Sequence, residues 1–276
     1  MLKSNRPEFL IIGVMKAGTT TLHYNLNQSK EISMSSIKEP NYLIPSENMT
    51  EEEYVNLFNE KFINGESSIV YFNNIETINI EQNQKIILIL RDPIERAFSH
   101  YKMYLKYKDT GSFSDFYQEE RYLRVGLYSK KLKFLFKKYN HKNILILGFE
   151  DFIENEEAIT NRVLSFLSLN SINLKKEHKH KSYFFKSKII NYIYINIEKR
   201  LYFLKNLFKE NTKLGTLMRK FYIKIKDKFN SDLKIESKDR EKLKEFYKED
   251  VKNVQKIMNE NNFDYSFMKK WNNFKI

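Results

Sequence analysis

The chain of 276 residues contains no cysteine, so it has neither a disulfide framework nor a thiolate metal site, as fits a reducing compartment. Its four prolines and seven glycines nowhere gather into a linker that would mark a domain boundary. No apolar stretch reaches the roughly 18 residues of a membrane-spanning helix. The opening MLKSNRPE is too short and too polar for a signal peptide or a membrane anchor. No His-Glu-x-x-His helix or other run with metal-ligand spacing occurs, so no metal is expected. Internal repeats are absent as well.

What is present suits a single folded domain spanning 1–276. Hydrophobic residues make up 41% and aromatics 15%, which argues for a packed core rather than disorder. Short apolar runs alternate with helical patterns: 9–14, 19–28, a run near 67–72, 85–90, 93–107 and 143–149. That alternation predicts an α/β fold, a parallel sheet with helices on both faces. From 241 to 258, Leu243, Phe246, Tyr247, Val251, Val254, Ile257 and Met258 recur at spacings of three and four, which predicts an amphipathic helix packed on the sheet.

Two segments carry chemistry. Phe9 to Thr21 reads FLIIGVMKAGTTT: a strand-like run, a glycine-bounded loop, then a threonine cluster opening a helix. Such a turn aims backbone N–H groups and a positive helix end at an anion. Gly13 and Gly18 have Walker A spacing, but Thr19 stands where that motif requires lysine, and the loop's cation is Lys16. The second segment follows another apolar run, Lys85 to Leu90, and reads Arg91-Asp92-Pro93-Ile94-Glu95-Arg96-Ala97-Phe98-Ser99-His100-Tyr101. Asp92 suits a helix N-cap and Pro93 the first helical position. Arg91 then sits at the carboxyl edge of a strand, where open α/β sheets bind ligands. Ser99, two turns on, adds a hydroxyl.

With these two motifs the chain resembles the sulfotransferases that use 3′-phosphoadenosine 5′-phosphosulfate (PAPS). KAGTTT looks like their 5′-phosphosulfate loop and RDPIERAFSHY like their 3′-phosphate motif. Lys38-Glu39-Pro40-Asn41-Tyr42 resembles the Lys-Glu-Pro-x-Phe/Tyr segment of the heparan-sulfate-like and bacterial branches. Gly65-Glu66-Ser67-Ser68 through Tyr71-Phe72, Gly126-Leu127-Tyr128, ILILGFEDFIEN, VLSFLSL and the terminal DREKLKEFYKEDVKNVQKIM are similar to later family segments. About residues 190–230 have no counterpart.

The resemblance implies a P-loop-like α/β fold, PAPS as donor and a carbohydrate or glycolipid acceptor. It implies that Lys16, Ala17, Gly18, Thr19, Thr20 and Thr21 wrap the 5′-phosphate, and that Arg91 and Ser99 hold the 3′-phosphate. Lys16 would stabilise the leaving oxygen, and Glu39 would be the base. The other reading of Glu39 is a salt bridge to Lys38 or a capping contact. Rival histidine bases are weaker: His100 adjoins the 3′ motif, His23 suits packing, and His178 and His180 lie in a basic loop. Two departures stand out. Ser67 occupies the place of a family lysine, with no proline after it. The stretch Lys181 to Lys188 lacks the glycine and proline of the family's late loop, so Lys186 and Ser187 either close over the 3′-phosphate or adenine or form a solvated charged loop. Golgi relatives carry a membrane anchor, so the expected location here is cytoplasmic, with peripheral contact at the inner membrane surface.

That contact rests on charge. Residues 175–235 hold 17 Lys/Arg against five Asp/Glu, nearly the whole net charge of +13. A solvated lysine-rich helical insert at 190–230 explains this. So does binding to an anionic membrane, since Ile189, Tyr192, Tyr194, Tyr202 and Phe203 interleave with the cations. Nucleic acid is not expected as a partner, because no recognised motif accompanies the basic stripe. Outside the sulfotransferases, the alternatives are a P-loop nucleotide kinase and a non-catalytic nucleotide- or membrane-binding module.

Overall fold

The computed structural model describes residues 6–59, 63–105, 111–175 and 233–274. Within them, β1 (Phe9–Gly13), β2 (Ile32–Met34), β3 (Ile63–Ser67), β4 (Lys85–Leu90) and β5 (Ile144–Gly148) form one sheet in the order β2-β3-β1-β4-β5. Every pairing is parallel. Phe9 to Gly13 are buried without interruption, and so are Ile86 to Leu90. Side chains alternate between the faces of a strand, so unbroken burial means both faces are covered. The helices among the described residues are α1 (Thr19–Leu26), α2 (Glu51–Val55), α3 (Pro93–Tyr104), α4 (Phe113–Gln118), α5 (Glu120–Arg124), α6 (Ser129–Lys138), α7 (Phe149–Glu154), α8 (Glu156–Phe166) and α9 (Ser237–Glu260).

Strand order decides where a ligand goes. After β1 the next strand in sequence lies on one side of it, and after β4 the next lies on the other. The chain therefore leaves β1 and β4 in opposite directions, which opens a crevice between their carboxyl ends. Both anion motifs leave the sheet there.

Three expectations need correction. The strand near 67–72 is in fact Ile63–Ser67, and the apolar residues after it turn into a 3-10 helix at Phe72–Asn74. Its sequence, INGES, lacks an apolar run: Gly65 leaves room for the Phe9 ring, and the buried Glu66 carboxylate accepts from Tyr54. The edge strand β2 had no signal in three residues. Helix α9 packs against α6 and α3 rather than on the sheet. Its buried stripe is Leu243, Tyr247, Val251, Val254 and Met258, while Phe246 is exposed. The basic segment 190–230 lies outside the described residues.

One glycine shows how closely β1 and β3 fit. A Cβ on Gly65 would stand 2.1 Å from Cζ of Phe9, whose ring is fully buried. Gly65→Ala must displace that ring, and overpacking of this kind costs about 1–3 kcal/mol. A urea-denaturation midpoint equal to that of the wild type would refute this packing.

Candidate active site

The phosphate-loop candidate begins where β1 ends. Lys16 holds a left-handed conformation (φ 70°), and Gly18, at φ 81°, precedes α1 with the Phe152 ring 3.1 Å from where its Cβ would be. No side chain caps α1 and no acidic residue lies in its first turn. The N–H groups of that turn therefore remain available to an anion, and nothing negative in the turn competes for them. Thr19 is buried, Thr20 exposed and Thr21 half-buried around this start, behind buried Ala17.

The second motif closes on the first. Arg91 donates from Nη1 to the Lys16 carbonyl at 2.7 Å, and its guanidinium lies 4.1 Å from the Phe149 ring centroid. Its Nε is buried with no hydrogen-bond partner. Burial lowers the Arg91 pKa from its ordinary value, opposed by Glu150 and Glu95. Asp92 caps α3 through Oδ1, accepting from Ile94 N–H at 2.9 Å and Glu95 N–H at 3.2 Å, as its sequence implied. Ser99 lies half-buried on the same helix.

Arg91 and Asp92 are braced by residues to which the sequence reading assigned no role. Tyr128, at the start of α6, donates its phenol to the Arg91 carbonyl at 3.0 Å. Glu150 accepts from Asp92 N–H at 3.1 Å and from Trp271 Nε1–H at 3.2 Å; burial raises its pKa, opposed first by the Asp92 bond. Asn273 donates to Asp92 Oδ2 at 2.7 Å. The available signal was that Trp271 is the sole tryptophan of the chain, and it is fully buried.

Glu39 enters from the β2–β3 side. Its N–H donates to the Ser67 carbonyl at 3.0 Å, at the carboxyl end of β3, and Ser68 N–H donates to Ile11 of β1 at 3.0 Å. The loop is thus one strand away from the one that runs into Lys16. Both Glu39 (φ 61°) and Asn41 (φ 57°) are left-handed. The Glu39 carboxylate pairs with Lys38, so the salt-bridge reading is realised, yet its side chain remains 33% exposed. Lys38 adds to the effect of burial on His23, whose pKa falls to about 4. His100 does not face the surface. It is buried among Tyr104, Phe116 and Tyr122, and burial, Arg96 and Lys16 lower its pKa to about 3. Lys186, Ser187, His178 and His180 lie outside the described residues. Among the described residues no cluster of three or more His, Cys, Asp or Glu is placed to hold a metal, and no helix is long and apolar enough to cross a membrane.

A family model described as a sulfotransferase domain matches residues 6–261. The membrane-associated sulfotransferase kil1 of Dictyostelium discoideum is 40% identical over 106 residues, covering 34% of this chain and 22% of that protein. Carbohydrate sulfotransferase 15 of Mus musculus is 24% identical over 255 residues, covering 62% of this chain and 45% of that protein. The chain thus spans less than half the length of these curated relatives. A sulfotransferase from Alicyclobacillus acidocaldarius shares the fold, with a TM-score of 0.63 at 21% identity over 96% of this chain and 98% of that one.

The two buried histidines set an acid limit on stability. Both folded pKa values lie below the ordinary 6.5, so the unfolded chain binds protons that the folded chain refuses. Stability is therefore lost as pH falls from 6.5 toward 4, at up to about 1.4 kcal/mol per pH unit for each histidine. Thermal melts should show a shallower decline over that window for His100→Phe than for the wild type, and parallel slopes would contradict the assignment.

Proposed function

This chain belongs to the sulfotransferase family, and from that premise we propose that it moves the sulfuryl group of PAPS to a hydroxyl of a carbohydrate or glycolipid acceptor, releasing 3′-phosphoadenosine 5′-phosphate. The observation that carries this reading is the junction of two anion-binding turns at the ends of β1 and β4, joined by Arg91 on the Lys16 carbonyl. The donor is anionic at both ends of its nucleoside and suits two separated points of attachment. The uncapped start of α1, with Thr19, Thr20 and Thr21, takes the 5′-phosphate. Arg91, which keeps an unpartnered Nε, takes the 3′-phosphate with Ser99.

In the transfer, the acceptor oxygen forms a bond to sulfur as the bond from sulfur to the 5′-phosphate oxygen breaks. The acceptor's proton goes to the Glu39 carboxylate, which pairs with the Lys38 ammonium. Negative charge grows on the departing phosphate oxygen, where Lys16 and the α1 amides stabilise it more strongly than in the ground state. Thr19 in place of the Walker lysine disfavours a kinase. A carbohydrate acceptor is supported by the name of the mouse relative, and membrane contact by the name of the Dictyostelium one and by the composition of 190–230.

Incubation with radiolabelled PAPS and a cell-envelope extract should label a carbohydrate-bearing product. In thermal shift, 3′-phosphoadenosine 5′-phosphate should stabilise the protein and ATP with magnesium should not; a preference for ATP overturns the reading. Glu39→Gln should slow label transfer about a hundredfold or more, the range of a lost general base, with nucleotide affinity retained. Arg91→Ala should instead weaken nucleotide binding by about tenfold or more, as expected for a charge-assisted contact. Liposome flotation on anionic vesicles, with and without residues 190–230, tests the membrane contact: equal flotation removes it.

A further inference from the structure

The loop that carries Glu39 is held by a carboxylate to which nothing above assigns a role. Glu66, on β3, is fully buried. Tyr54 and Ser68 donate their hydroxyls to its two oxygens, one to each. Ser68 also grips the loop, its Oγ accepting from Asn41 N–H at 3.1 Å. Tyr54 stacks its ring on Tyr42 at 4.0 Å with 9° between the planes. Tyr71 adds a further hold, its Oη accepting from Leu43 N–H at 3.1 Å.

The direction of these bonds follows from the donors. A backbone N–H can only donate, and each hydroxyl has one proton. Ser68 therefore accepts from the loop and passes its proton inward to Glu66, while Tyr54 donates to the other carboxylate oxygen. Glu66 accepts on both oxygens, which a carboxylate can do and an amide, with a single oxygen, cannot. The loop needs such holding. Glu39 and Asn41 each occupy a left-handed conformation that costs an ordinary residue about 1 kcal/mol or more, and such strain persists only where surrounding contacts impose it.

We propose that Glu66 is a positioning residue for Glu39: through Ser68 and Tyr54 it holds the 39–43 loop in the one conformation that presents the Glu39 carboxylate to the acceptor. The proposal rests on Glu39 being the base. Replacing Glu66 with glutamine swaps one acceptor oxygen for an N–H donor, so at least one hydroxyl loses the acceptor for its proton and loosens its hold on the loop.

The test measures initial rates of label transfer from saturating radiolabelled PAPS to envelope extract, with affinity for 3′-phosphoadenosine 5′-phosphate measured separately. Glu66→Gln should lower the rate by about tenfold or more while nucleotide affinity stays within about threefold, the signature of a lost transition-state interaction. Because both residues act at one step, Glu66→Gln combined with Glu39→Gln should be no slower than Glu39→Gln alone. Multiplying losses, a parallel fall in nucleotide affinity, or wild-type rates in Glu66→Gln would each overturn the proposal. Should Glu66→Gln not fold, Ser68→Ala removes the hydroxyl that joins Glu66 to the loop and is judged by the same criteria. A wild-type rate in Glu39→Gln overturns the assigned base and this proposal with it. A slow Glu39→Gln beside an unaffected Glu66→Gln overturns this proposal alone.

Discussion

The hydrogen bond from Arg91 to the Lys16 carbonyl is the contact on which the site depends. It ties the loop after β1 to the end of β4 and so sets the spacing of the two proposed anion-binding turns. A guanidinium suits this task. It is planar, stays charged even where burial depresses its pKa, and offers several donors in a fixed fork. One donor holds the loop, the face lies on Phe149, and Nε remains for a ligand. The same side chain therefore shapes one of the proposed binding turns while belonging to the other.

Everything around Arg91 limits its freedom. Tyr128 fixes its carbonyl from α6, and Asp92 behind it is held by Glu150 and Asn273. Arg240 of α9 adds contacts to Glu95 and Asn273. The C-terminal helix and the turn after it thus serve as a buttress for the N-terminus of α3. Glu66 has the corresponding place on the opposite flank of β1, beneath the loop of Glu39. Each flank uses a buried carboxylate as a multiple acceptor, and each such group requires full satisfaction because an unpaired charge in the core is costly.

The legible parts of this molecule were its local ones. The glycine loop, the Asp-Pro helix start and the apolar runs of β1, β4 and β5 each depend on residues a few positions apart. β3 was misplaced because its stabilisation is not local: Gly65 makes room for Phe9, and the Glu66 carboxylate finds a partner in Tyr54. His100 sits beside a binding motif in sequence, yet its ring turns away into an aromatic cluster. Adjacency along a helix says nothing about which face a side chain takes until the neighbours are in place. Asn273 and Asp92 are 181 residues apart, and no periodicity links them.

By itself, the amino-acid sequence determined the class of sheet, the two candidate anion-binding turns and the family, because backbone conformation and hydrogen-bonding capacity are properties of short segments. Only the tertiary structure decided that β1 and β4 are neighbours, that Arg91 reaches the Lys16 carbonyl, and that Glu66 anchors the Glu39 loop. Those outcomes come from strand order and side-chain packing, in which residues distant along the chain compete for the same volume and the same hydrogen-bond partners.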